Sequence, residues 1–197
     1  MGIRNILDDI VTFSGERKLK MKKILVDDAK CLACNSCEIA CRVVHSDTKT
    51  LYGAISEQTP PASGLHVEQG VKGRGFPLGC RHCQDPQCVR ACVTKALYMS
   101  VDGVILNEKK RCIGCMMCFI ACPFGAIEEG VHKTEAYAIS KCDLCTASGQ
   151  DPACVNACPT KALVFENPDD FSKNRRVNYM IELATLSEVT NLKTGDV

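Results

Sequence analysis

Sixteen of the 197 residues are cysteine, and they fall into four quartets with none left over. Cys31, Cys34, Cys37 and Cys41 are spaced C-x2-C-x2-C-x3-C, and Cys112, Cys115, Cys118 and Cys122 repeat that spacing with Pro123 directly after. In Cys80, Cys83, Cys88 and Cys92 the central gap widens to four residues. In Cys142, Cys145, Cys154 and Cys158 it widens to eight, and Pro159 follows. Six Phe, four Tyr and no Trp supply little core volume. What the cysteines bind must therefore hold much of the fold together.

Cysteine of this density suits either a secreted disulfide scaffold or a metal protein. The N-terminus, MGIRNILDDIVTF, has Asp8 and Asp9 where a secretory segment needs an unbroken apolar run. No arginine pair precedes it, and no stretch is long enough to span a bilayer. The expectation is a cytoplasmic chain with reduced thiols that bind metal, without membrane insertion. Met21 begins a strand-like run and is an alternative start to Met1.

The spacing selects the metal. A 4Fe–4S cubane needs four thiolates converging from tetrahedral directions. Three cysteines two residues apart wrap a loop around one cube, and the fourth, one helical turn later, reaches a neighbouring cube. A proline after it stops the helix. Zinc sites instead use two separated C-x-x-C knuckles per ion. Three cysteines in seven residues, twice, point to iron–sulfur, with a zinc-stabilised interaction module as the alternative of another class. All sixteen cysteines are candidate ligands, and four cubanes are expected.

The surroundings repeat as well. KCLACNSCEIAC parallels RCIGCMMCFIAC, and ACVTKAL at 91–97 differs from ACPTKAL at 157–163 at one position. KILVDD and VILNEKK are strand-like leads into the first and third motifs. ALYMS, Asp102-Gly103 and VILNE predict a hairpin, the Asp-Gly pair suiting positive φ. Such a repeat indicates duplication of a strand, cysteine loop and short helix.

The set C-x-H-C-x2-P-x-C (Cys80, His82, Cys83, Pro86, Cys88), CP at 122–123 and the late C-x2-C-x8-C-x3-CP resembles the four-cluster ferredoxin-like electron-transfer subunits. These are the beta subunits of molybdopterin oxidoreductases, hydrogenases and formate dehydrogenases. The resemblance covers residues 23–166. Within that family, CRHCQDPQCVRAC and RCIGCMMCFIACPFGAI look most like the iron–sulfur protein associated with carbon monoxide dehydrogenase.

The resemblance implies nested ligand sharing. Cys31, Cys34, Cys37 and Cys158 would hold one cluster, and Cys142, Cys145, Cys154 and Cys41 its neighbour. Cys80, Cys83, Cys88 and Cys122 would hold the third, and Cys112, Cys115, Cys118 and Cys92 the fourth. Spacing alone leaves sequential pairing open. Arg42 and Val93 stand where a proline often follows the last cysteine, which puts the local turn in doubt.

The implied fold is α+β: two pseudo-symmetric bicluster ferredoxin-like halves over 23–166, with an N-terminal extension at 1–22. An insertion at 42–79 covers one face, and a helical tail at 167–197 is expected to pack on the core. The implied function is non-catalytic electron relay between an anaerobic oxidoreductase, carbon monoxide dehydrogenase first, and an acceptor such as a hydrogenase. Formate dehydrogenase, hydrogenase or molybdenum/tungsten oxidoreductase partners, and a free polyferredoxin, are the alternatives.

The remaining features carry less. Lys30, Arg42, Lys95, Arg111, Arg81, Lys141 and Lys161 abut the motifs, either raising cluster potentials or forming a solvated face. His82 reads as structural. VKGRGFPLG at 71–79 lacks a strand before and a helix after, so it reads as a mobile loop and not a phosphate site. Sixteen thiolates and four +2 cores would turn the formal charge of +1 into about −7, which argues against nucleic acid. No nucleophile–base pair points to catalysis.

Overall fold

A computed structural model describes residues 21–59, 61–70, 73–131, 137–149 and 151–193. The reading of residues 1–20 as an extension lies outside them. Each β-strand is short and has one antiparallel partner. β1 (Lys23–Val26) pairs with β8 (Leu163–Glu166), from Lys23↔Glu166 to Val26↔Leu163. β4 (Leu97–Met99) pairs with β5 (Ile105–Asn107), from Leu97↔Asn107 to Met99↔Ile105. β2 (Leu65–Gln69) pairs with β3 (Gly75–Gly79), and β6 (Glu128–Val131) with β7 (Tyr137–Ser140).

The helices repeat the same nesting. α1 (Ser36–His45) packs on α5 (Ala153–Asn156), while α3 (Gln87–Arg90) packs on α4 (Met117–Ala121). Chain start and chain end thus form one half, β1/β8 with α1/α5. The middle forms its counterpart, β4/β5 with α3/α4. β1 and β5 each run through a 3-10 turn, Asp28–Lys30 and Lys109–Arg111, into a cysteine loop. The architecture is the α+β pairing of ferredoxin-like halves.

Cysteines make up a large share of the interior. One cluster gathers Cys37, Cys41, Cys154 and Cys158 with Leu65, Ala162 and Leu163. A second gathers Cys118 with Leu97, Ile105, Ile127 and Ile139. A third joins Cys142 to Val104 and Leu144, with Cys80 packed against it. Leu97, Ile105, Ile127 and Leu163 are fully buried, each contributing about 1.5–3 kcal/mol. A handful of such side chains cannot offset the chain entropy of so long a polypeptide.

Three sequence expectations need correction. In the 97–107 hairpin only Gly103 of the Asp-Gly pair has positive φ (81°), and the loop is longer than a two-residue turn. It is closed by Ser100 N–H to Val104 O at 2.8 Å and Gly103 N–H to Ser100 O at 3.0 Å. Residues 75–79 are strand, not loop. The glycine spacing there serves close packing, since a Cβ on Gly75 would lie 2.8 Å from the Ala33 Cα in the first cysteine loop.

The tail gives the third correction. α6 (Pro168–Lys193) forms as expected, with Asn167 Oδ1 accepting from Asp169 N–H at 2.9 Å and two aspartates in its first turn. It touches β1 near its start, where Arg175 faces Asp27 at 3.8 Å. Val177, Tyr179, Met180, Ile181 and Leu183 are exposed and do not pack on the core. Charged and polar neighbours interrupt the stripe, leaving too narrow a face to bury.

The 42–79 segment packs inward. α1 continues past Cys41 to His45, α2 (Leu51–Ser56) follows with Thr50 Oγ1 accepting from Gly53 N–H, and β2–β3 returns along the first motif. Gly64 is pressed against the Cys142 backbone.

Candidate iron–sulfur centres

Each cysteine loop contains a left-handed residue two places after its first cysteine: Ala33 (φ 53°), His82 (45°), Gly114 (67°) and Leu144 (59°). Asn35 and Met116 take the same conformation one place after the second cysteine of their loops. Alternation of right- and left-handed residues turns successive N–H groups inward and makes an anion nest. Only one of these six residues is glycine, so the loops carry strain of about 1–3 kcal/mol per residue that bound ligand must offset.

The repeated CVTKAL and CPTKAL segments form a second device. Lys95 and Lys161, three places after Cys92 and Cys158, have φ of 53° and 55°. The turn aims Leu97 N–H at Cys92 Sγ (3.4 Å) and Ala162 N–H at Cys158 Sγ (3.2 Å). Thr94 and Thr160 hydroxyls lie 3.8 Å from the same sulfurs. Burial alone would push these two thiols up, but the hydrogen bonds outweigh it and hold both below an ordinary cysteine. Val93 in place of proline leaves this turn intact.

Arg42 is different. With no proline after Cys41, α1 runs on, and Gly64 of the insertion supplies the N–H to Cys41 Sγ at 3.2 Å. Nothing in the spacing or composition marks residue 64 as serving this sulfur.

The structure brings the cysteines together across motifs. Cys158 joins Cys31, Cys34 and Cys37 around one hollow, and Cys92 joins Cys112, Cys115 and Cys118 around another. Cys154 faces Cys142, Cys145 and Cys41, all buried. Cys80 faces Cys122 and Cys83, and Cys88 faces Cys80 and Cys122. The groups form a line. Cys37 adjoins Cys154, Cys142 adjoins Cys80, and Cys88 and Cys122 pack in the same cluster as Cys92 and Cys112.

As thiolates, the most buried sulfurs would need a cation beside them. Burial, reinforced by neighbouring sulfurs, pushes Cys37 and Cys88 up to about 11 and Cys142 to about 12, and raises Cys154 as well. Four such sulfurs can be thiolates together only around metal. All sixteen cysteines are free thiols. Free sulfurs in fours, N–H donors aimed at them and loops shaped as nests fit 4Fe–4S clusters.

Several flanking groups were harder to foresee. His82 is buried. Its Nδ1 accepts from Ile105 N–H at 3.0 Å, and burial, then Lys141 and Lys23, drive its pKa down to about 3, so it is neutral. His45 Nε2 and Asp143 Oδ1 lie 3.3 Å apart beside Cys145, a pairing with no sequence signal because the residues are distant in the sequence. Of the seven basic residues abutting the motifs, Lys141 alone is buried.

Comparison with known proteins is decisive on family. Residues 71–168 match a 4Fe-4S dicluster domain and residues 28–45 a 4Fe-4S binding domain. The chain is 40% identical over 157 residues to an iron-sulfur protein of Rhodospirillum rubrum, covering 72% of this chain and 80% of that one. It belongs to this family of 4Fe–4S electron-transfer proteins. The electron transport protein HydN of Escherichia coli K12 is 34% identical (72% of this chain, 85% of HydN). The B subunit of the anaerobic dimethyl sulfoxide reductase of Haemophilus influenzae is 33% identical, covering 73% of each. Sixteen cysteines in this family's pattern fit four 4Fe–4S clusters. Among the described residues, no helix is long and apolar enough to cross a membrane.

Proposed function

We propose that this chain is a cytoplasmic relay that passes electrons through four 4Fe–4S clusters between a catalytic oxidoreductase and an acceptor. The proposed ligand sets, in order along the line, begin with Cys31, Cys34, Cys37 and Cys158, then Cys41, Cys142, Cys145 and Cys154. Cys80, Cys83, Cys88 and Cys122 follow, and Cys92, Cys112, Cys115 and Cys118 come last. When bound, the clusters supply one-electron redox chemistry. The chain's own part is to space the sulfurs, donate N–H groups to them and keep water from the middle of the line.

One observation carries this reading. Exposed cysteines occur only at the two ends of the line, Cys34 and Cys115, while Cys41, Cys142, Cys145 and Cys154 are all buried. That distribution suits a conductor with two docking ends. The residues 23–166 act as its four-cluster domain, with 42–79 as an insertion that completes the second site through Gly64.

Carbon monoxide dehydrogenase is the proposed donor, on the resemblance of the second and third motifs to its associated iron–sulfur protein; a hydrogenase or other reductase is the acceptor. Catalytic carbon monoxide dehydrogenase with CO is expected to bleach the cluster absorbance rapidly in stopped flow, faster than formate dehydrogenase or hydrogenase with their substrates. Equal rates with an unrelated reductant pair would refute the partner and leave the relay standing. The likeness to the B subunit of a dimethyl sulfoxide reductase favours a second reading, a molybdopterin oxidoreductase partner.

A further inference from the structure

Lys141 follows β7 directly and is only 9% exposed. Among the described residues it is the one buried side chain with a full charge, since the other buried polar groups are two serines and the neutral His82. Its Nζ donates to the carbonyls of Ile105 and Cys142, the latter at 2.7 Å. No carboxylate among the described residues pairs with it. Asp143, two places on, instead accepts from Cys145 N–H at 2.9 Å and faces His45 at 3.3 Å.

A buried ammonium with only carbonyls around it is costly unless negative charge stands close by. What stands close by is sulfur from both halves of the molecule. Nζ is held on the Cys142 carbonyl, Cys80 packs against the buried cluster that contains Cys142, and Ile105 links Nζ to the loop between Cys80 and Cys83. The contact is rigid, because Ile105, whose carbonyl holds Nζ, is wholly buried and donates its own N–H to His82 between Cys80 and Cys83. Lys23 reaches the same loop through the His82 carbonyl at 3.1 Å, but from a less buried position.

We propose that Lys141 is a potential-setting residue, a single buried cation shared across the join between the two halves. Its charge raises the reduction potential of the cluster held by Cys80, Cys83, Cys88 and Cys122, and to a lesser degree that of Cys41, Cys142, Cys145 and Cys154. This rests on the ligand sets proposed above. The physical cause is simple: reduction adds one negative charge to a cluster, and a fixed cation in a low-dielectric site favours that state. The electron is thereby held at the middle of the line, where the halves meet.

The test is an EPR-monitored redox titration of anaerobically purified wild-type, Lys141→Met, Lys141→Gln and Lys141→Arg proteins, with iron and sulfide counted in each. Iron-replete Met or Gln variants should lose at least tenfold in the equilibrium constant for reducing one cluster. That is a downward shift of about 59 mV for a one-electron couple. The Arg variant should stay near wild type. Unchanged potentials in an iron-replete Met or Gln variant would overturn the proposal. If neither variant loads iron, the native protein decides, through the cluster whose signals are marked in a Cys83→Ser protein. That cluster should be the first of the four reduced, and its reduction after both outer clusters would equally overturn the proposal. A wild-type protein without iron would instead refute the ligand sets, a separate failure.

Discussion

Residue by residue, the sulfurs are positioned by backbone and not by their own side-chain neighbours. Ala33, His82 and Leu144 accept left-handed backbone that glycine would take more readily, because the loop must turn its N–H groups inward. Cys158 shows the consequence most clearly: it belongs to the fourth motif in sequence, yet lies with Cys31, Cys34 and Cys37. Replacement Cys158→Ser is expected to alter the cluster of the first motif and spare the one served by Cys142, Cys145 and Cys154. EPR of the variant checks this, and selective loss of the latter cluster would rule out shared ligation.

Among the strands, loops and helices, the sequence was legible where one residue type or one short pattern decides the outcome. Cysteine spacing announced the loops, the two KAL segments announced a duplication, and the 97–107 hairpin was visible in ALYMS and VILNE. The β2–β3 hairpin was not, since His66, Glu68 and Pro77 dilute its strand pattern and its stability comes from lying on the first motif. Lys141 was equally opaque, because a lysine beside a cysteine looks the same in sequence whether it faces water or Ile105. The insertion's role rests on Gly64, where a Cβ would come within 2.8 Å of Cys142 backbone atoms. Gly64→Ala should therefore cost about 1–3 kcal/mol by overpacking and weaken the cluster of Cys41 and Cys142 first. Absorbance and iron content on mild warming measure it; a variant as stable as wild type would show that the insertion only covers the site.

For the folded protein in its entirety, two small halves with few fully buried aliphatic side chains depend on what their sulfurs bind. The strained loops and the scarcity of fully buried aliphatic side chains make the apo chain unfavourable, so ligation energy is folding energy. Iron chelation under reducing conditions should abolish the native circular dichroism together with the cluster absorbance. An apo form that keeps native-like dichroism and unfolds cooperatively would contradict this. Val177, Tyr179, Met180, Ile181 and Leu183 of α6 are exposed and add little burial to that dependence.

The count of iron and acid-labile sulfide in anaerobically purified protein bears on every ligand set at once. Sixteen cysteines in four shared sets predict a brown protein with about sixteen iron and sixteen sulfide per chain. Stoichiometric zinc without sulfide, in a colourless protein, would contradict the account at its centre.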